Sequence, residues 1–427
     1  MLEHIKNFCL HSMEFSINNW TFICLISFII FAFSHFLNDN DDETMSIYDV
    51  RQIYNKFEYY RINGPSEMSV SYAEELCKAI GELPDSTFDH NKLEIADMLN
   101  HVPDCLENNG NYISALNVGR SIYEIYLFSY GIKDRRTLLA QYNLSRYHSD
   151  INEWDNAISA CTEILSLTKD SIDVYGDLFS AASNRLSEYY WGKDNEKSLQ
   201  FAILSYKVRK QFYGEKHMFT IASLYNIGVS CFLMGNAEEG IIKMKEALEI
   251  ISIHKEDMPN FYITSLSGLG EAYLGVGMYL EAIEKMKESV YYQEQNFGFD
   301  NMNISVRLRA LIAECYMKLN DEEKAYQMAF EATEGYMKYV NKLSLMDSRD
   351  RYLSLNTGYI QEWFDIVLPQ LTHNYKENLE FANLLFTSSM FRKNLLIDME
   401  RYSKDHDLED GERYDVYNEL NSEIDYF

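Results

Sequence analysis

The sequence predicts an all-helical solenoid, and three observations carry that reading. Small residues recur at a near-constant step: Ala115, Ala157, Ser198, Gly240, Ala282 and Ala325 follow one another at intervals of 41 to 43 residues, and one step further back lands on Ala73. A fixed period of this size marks a repeat architecture, in which each unit buries its apolar face only against its neighbours. Five Pro and 19 Gly in 427 residues leave little material for breaking helices. No alternating run of Val, Ile and Thr bounded by turn residues occurs, so strands have no sequence to form from.

Taken in order, residues 1–44 are a hydrophobic segment followed by an acidic linker. Phe15 to Asn38 holds no charged residue, and Trp20 to Leu37 is rich in Phe, Ile and Leu before "NDNDDE" ends the run. About 18 apolar residues are near the minimum for a helix that spans a bilayer. Trp20 stands at one edge, where an interfacial ring belongs. The leading expectation is a single N-terminal membrane helix, with Lys6 favouring a cytoplasmic N-terminus and repeats on the far side. Two alternatives stay open. A cleaved signal peptide would give an exported chain, although its basic region is thin and "FAFSHF" is a poor cleavage site. A start at Met45 would give a cytoplasmic one.

Residues 45–99 read as a degenerate first repeat and 100–340 as an array of about six. The clearest copies are "SLYNIGVSCFLMGNAEEGIIKMKEAL" and "SLSGLGEAYLGVGMYLEAIEKMKESV", each a helix, a short polar turn and a second helix. A small residue (Ser145, Gly228, Gly270, Ala313) precedes its anchor by twelve, which lets two helix backbones approach closely. The third copy matches best with its turn one residue short, which puts Leu186, Ser187 and Tyr190 in register. Tyr130-Gly131, Tyr213-Gly214 and Phe297-Gly298 follow alternate anchors at one spacing, and the Gly suits a helix C-cap with positive φ.

These copies resemble the tetratricopeptide repeat, in the longer kinesin-light-chain variety. The resemblance covers 100–340 well and 45–99 weakly. It implies a right-handed superhelix whose concave surface, lined by first helices, binds a peptide or partner protein without catalysis. In that pattern an Asn two before the small residue holds the backbone amides of an extended peptide. The position carries Asn143, Arg185 and Asn226 here, then becomes Gly268 and Leu311. Tyr142, Arg146, Asn184, Tyr225 and Arg307 are expected to share that face. An amide offers a peptide bond both a donor and an acceptor; the competing reading is that such an Asn satisfies a neighbouring helix end.

Residues 341–427 depart from the period. Arg349 to Tyr352 and "FRKNLLI" resemble the helical connector that follows the repeats in bacterial proteins ending in a CHAT domain, a caspase-like peptidase. A helical cap that closes the solenoid is the equal alternative. The peptidase chemistry needs a His beside a Cys, and no Cys follows Cys315, so no catalytic residue carries over. The resemblance leaves a second function open, the sensor part of a split or truncated peptidase system.

The net charge of −28 argues against nucleic acid, since no Lys/Arg patch is available to neutralise phosphates. Acidic faces that keep a long array soluble explain it, and a groove that selects basic or polar peptides is the sharper reading. Seven Cys, with no C-x-x-C pair, write neither a zinc site nor a redox motif. "GLGEAYLGVG" puts Tyr273 where a dinucleotide loop needs a third Gly and has no strand before it. No metal site and no cofactor are expected. His217 and His254 fall near helix ends, and Glu238-Glu239 and Glu322-Glu323 start second helices, where they complement the dipole.

Overall fold

The computed structural model describes residues 45–64, 66–297 and 302–343, together with 368–369, 373 and 379–388. Trp20–Leu37, Gly298, Arg349–Tyr352 and the "FRKNLLI" segment lie outside them. The described residues are helical with no strand among them, and none of their helices is long and apolar enough to cross a membrane. The chain divides into two compact units, Met1–Cys105 and Leu106–Phe427.

In the first unit, α1 (Ile47–Asn63), α2 (Ser66–Gly81) and α3 (Asp85–Leu99) pack together. Ser46 opens α1 with a reciprocal capping box to Asp49, which satisfies two backbone donors at once. Val50, Phe57, Ala73, Leu76 and Ile95 are wholly buried, and Arg51 grips Glu94 through Nε and Nη2 at 2.5 and 2.8 Å. Ala73 is the eighth residue of α2, and 45–99 holds three helices, so this unit departs from the helix-pair register of the later copies.

Helix α4 (Val102–Asn108) contains the point of division, and the second unit continues through α5 (Tyr112–Tyr130), α6 (Arg135–Asp150), α7 (Trp154–Thr168), α8 (Ile172–Tyr189) and α9 (Asn195–Tyr213). It goes on with α10 (Met218–Leu233), α11 (Ala237–Ile253), α12 (Pro259–Gly275), α13 (Tyr279–Phe297), α14 (Met302–Lys318) and α15 (Glu322–Leu343). From α5 onward each helix packs on its chain neighbours, and the first helices α6, α8, α10, α12 and α14 also touch one another in succession. Every anchor is the fourth residue of its second helix: Ala115, Ala157, Ser198, Gly240, Ala282 and Ala325 all stand one turn in and are buried. Gly228 shows why: a β-carbon there would lie 2.9 Å from the Gly240 carbonyl oxygen and 2.7 Å from Met244 Cγ.

Each hairpin turn passes through one residue of positive φ, a feature the anchor pattern did not disclose. Gly110, Asn152, Gly235, Gly277 and Asn320 lie five before their anchors, and Gly192 lies six before Ser198. Only Gly and Asn adopt this conformation routinely. The third copy therefore differs from expectation. Its turn is longer than the others, because α8 stops at Tyr189 and five residues lead to α9 where three suffice elsewhere. Asn195 Oδ1 accepts from the Gly192 amide and Asp194 caps Lys197, so the extended turn closes on itself.

Two of the alternating aromatic–Gly pairs, Tyr130-Gly131 and Tyr213-Gly214, are C-caps. Gly131 and Gly214 stand at φ 82° and 89°, donating to Leu127 and Lys210 carbonyls. The ring before each receives the next first helix: Arg136 lies 3.4 Å from the Tyr130 centroid, and His217 and Phe219 pack on Tyr213. The other connectors use a 3-10 turn, Lys169–Ser171, or the longer stretch between α11 and α12. Beyond α15, Leu368, Phe381 and Leu384 join the core that runs from Ile221, with Phe381 edge-on to Tyr326 at 5.3 Å.

Candidate functional site

The candidate face is built where α6, α8 and α10 run side by side. Their apolar residues sink toward the second helices: Leu138, Leu178, Ala182, Leu186 and Ile221 are 8% exposed or less. The same helical period leaves a polar strip on the opposite side. Tyr189 and Tyr225 tie the strip together, their hydroxyls donating to the Ser145 and Ser265 carbonyls of neighbouring first helices at 2.7 and 3.2 Å. Burial is the main cause that raises both phenols above their ordinary range.

Glu188 is the hub of the strip. It accepts from Asn184 Nδ2 at 2.8 Å, Arg185 Nη1 at 3.1 Å and Asn226 Nδ2 at 3.1 Å. Arg185 also donates to the Tyr142 hydroxyl at 3.5 Å and lies over its ring. Although burial works against its charge, Glu188 and the surrounding tyrosines raise the Arg185 pKa, which keeps it cationic. Asn184 Oδ1 in turn accepts from Arg209 Nη1 and Ser223 Oγ, both at 3.2 Å. At the end of α6, Arg146 pairs with Glu107 at 2.9 Å beside Asp150, whose carboxyl burial pushes up to about 6.

The sequence-predicted residues thus do not form one cluster. Tyr142, Asn184, Arg185 and Asn226 meet in one network with Glu188. Asn143 is half-buried and has no hydrogen-bond partner among the described residues, leaving its amide open. Arg146 belongs to the neighbouring Glu107–Asp150 cluster. Tyr225 is 6% exposed, packs edge-on to Phe261 and spends its hydroxyl on Ser265, so it acts as an inter-repeat tie. Arg307 stands apart on α14, where both oxygens of Glu271 hold it at 2.5 and 2.6 Å. Sequence reasoning missed Glu188 and Arg209. Glu188 stands one after the small residue Ser187 and three after Arg185, and Arg209 belongs to a second helix and bonds to both α8 and α10.

The described residues include no group of three or more His, Cys, Asp or Glu placed to hold a metal. Cys105, Cys161, Cys231 and Cys315 are buried thiols without disulfides, and burial pushes Cys161 up to about 11 and Cys315 to about 12. Such thiols are poor nucleophiles.

No family model matches the chain, and no curated protein matches it in sequence. Among solved structures, the apo form of RapI is similar at a TM-score of 0.51 and 16% identity, over 68% of this chain and 99% of that one. This chain has the tetratricopeptide-repeat fold. A Rap protein complexed with competence and sporulation factor aligns at TM-score 0.49 and 13% identity, over 84% of this chain and 99% of that one. Nearly identical TPR-like repeats of a kinesin light chain from Podosopora anserina align at 0.37 and 14%, over 46% and 92%. The tetratricopeptide array here thus rests on helix pairs set by the anchor period, with its polar strip on the first helices.

Proposed function

We propose that this chain is a non-catalytic interaction scaffold whose first-helix face, across α6, α8 and α10, holds an extended peptide or a partner's peptide segment. The observation that carries the reading is the open amide of Asn143 beside the network in which Glu188 holds Asn184, Arg185 and Asn226. A preorganised strip loses little side-chain freedom on binding. The apolar run Trp20–Leu37 supports a second element of the proposal, a membrane tether for the array.

The test separates two asparagines of unlike surroundings. Asn143→Ala removes an unpartnered amide and should weaken a captured partner's binding three- to tenfold with an unchanged melt, since one hydrogen bond is worth about 0.5–1.5 kcal/mol. Asn226→Ala unpins Glu188 as well, and should lower both affinity and melting temperature. Titration of the partner against both variants, with circular dichroism alongside, reads the two effects. Wild-type affinity in Asn143→Ala and Asn226→Ala together would remove the first-helix face as the binding surface.

A further inference from the structure

The second helix α9 is held in place differently from its counterparts. On α11, Met244, Ala247, Leu248 and Ile251 are buried, and on α7 Ala157, Cys161 and Ile164 are. On α9 the buried apolar residues are Ala202 and Val208, while Leu199, Phe201, Ile203 and Tyr206 are only partly covered. The apolar core breaks at the same place. One cluster joins α6, α7 and α8 through Leu138, Ile164 and Leu186, and another runs from Ile221 on α10 to Leu384. Between them lies a cluster of Ala202, Ile227 and Cys231. Apolar stabilisation scales with the area removed from water, so it is weakest at α9. In a solenoid each interface is stabilised on its own, and the weakest one opens first.

Hydroxyls fill the break. Ser180, Ser187, Ser198, Ser205, Ser223 and Ser230 are each 1% exposed or less. Ser198 meets Ser187 of α8 at 3.4 Å and Ser230 of α10 at 2.6 Å. Two turns on, Ser205 donates to the Ser180 carbonyl of α8 and meets Ser223 of α10, both at 2.8 Å. The same two residues of α9 therefore serve both neighbours. In later repeats the positions of Ser187, Ser198 and Ser230 carry Ala313, Ala325 and Ala272. A hydroxyl bond lost on opening is replaced by one to water, so its net contribution is small. Arg209 stands in the same seam at 7% exposed, and its Nη1 bonds, to Asn184 Oδ1, the Phe219 carbonyl and Ser223 Oγ, reach no carboxylate. Burying a charge on neutral partners is costly, and opening returns it to water. The first-helix side is joined independently of α9: Asn226 of α10 donates to Glu188 of α8 at 3.1 Å, and Ser223 to Asn184 at 3.2 Å.

We propose that α9 is a joint built into the array: its serine seam opens ahead of global unfolding, while α5–α8 and α10–α15 stay folded as two blocks. The blocks remain linked where α8 and α10 touch. Glu188 and Asn226 sit on opposite sides of the joint, which therefore sets how the two halves of the polar strip face each other. The kink in α8 at Tyr175, with φ −116° and ψ 17°, and the extended turn that follows α8 fall in the same repeat. The inference stands without the peptide-binding reading, because the seam lies among α8, α9 and α10 whatever the array holds.

Native-state amide hydrogen exchange of the full-length protein, read by mass spectrometry and corrected for intrinsic rates, tests this. Amides of α9 should exchange at least about tenfold faster than those of α7 and α11. Ser187→Ala, Ser198→Ala and Ser230→Ala together remove one whole chain of hydroxyls and install the alanines of the later repeats. Replacing all partners of a buried bond by apolar groups leaves none unsatisfied, so this variant should slow α9 about three- to tenfold and move α7 and α11 by less than about twofold. Ser205→Ala alone strips one bond on each side of α9 and should speed α9 about three- to tenfold, again sparing α7 and α11. It carries the test where the triple variant does not fold. Protection of α9 equal to that of α7 and α11 in wild type would overturn the joint. So would a triple variant that slows all three helices alike, since that is global stabilisation, or a Ser205→Ala variant that exchanges as wild type does.

Discussion

At the scale of single residues, the polar strip works because most of its members are already spoken for, and Asp150 is the member with a pH signature. Burial is the largest cause of its raised pKa, about 6 against an ordinary 3.8, while Arg146, a hydrogen bond with Glu107 and Arg185 pull the other way. A carboxyl whose pKa is higher folded than unfolded favours folding most when protonated in both states. Its contribution is complete below the unfolded value of 3.8 and is lost as pH rises through about 6. Asp150→Asn cannot ionise and should therefore gain on wild type across that window. Urea midpoints of the two proteins from about pH 4 to about pH 7 check this: the difference should move in the variant's favour as pH rises. A constant difference would mean that Asp150 is solvated and titrates as in the unfolded chain.

At the scale of the helix pair, two kinds of glycine do different work, and they explain what the sequence could and could not disclose. Gly228 is a packing glycine, since its neighbours are the Gly240 carbonyl and Met244. Gly235 is a conformational glycine: its φ is 91° and nothing lies within 4 Å of where a β-carbon would stand. Alanine should cost about 1–3 kcal/mol at Gly228 through overpacking, and about 1–2 kcal/mol at Gly235 through the left-handed backbone. Asparagine tells them apart. Asn152 and Asn320 hold the equivalent turn position at φ 62° and 56°, so Gly235→Asn should recover most of the loss while Gly228→Asn deepens it. Denaturant midpoints of the four variants measure the contrast, and equal behaviour of the two asparagine variants would show that the turn needs no positive φ. The packing glycines were legible because close helix approach leaves a periodic trace in sequence. The turn residues were not, because Gly and Asn share the position and Gly192 stands one place further from its anchor. For the same reason the third turn read as short, when α8 simply ends early.

At the scale of the whole molecule, contacts are local, each helix resting on its chain neighbours, which is why one period sufficed to read most of the array. The candidate site was less legible, since it depends on which polar groups find partners across repeats. Asn143 and Asn226 occupy one sequence position, yet one amide is open and the other holds Glu188. Arg209 joins the strip from a second helix, a reach that no single-repeat pattern contains. Tethering is the remaining property at this scale. The repeat region carries its charge on a surface with no membrane-spanning helix among the described residues. The proposed attachment is Trp20–Leu37, where 18 residues at about 1.5 Å each would make a helix of about 27 Å, close to the hydrocarbon thickness. The full chain should then stay in the pellet on alkaline carbonate extraction and leave it in detergent, and a chain lacking residues 1–38 should be released by carbonate. A mature product beginning near Leu37 would point to cleavage. Release of the uncleaved full chain by carbonate would sink the tether, because peripheral contacts do not survive that treatment whereas a spanning helix has no aqueous state to escape to.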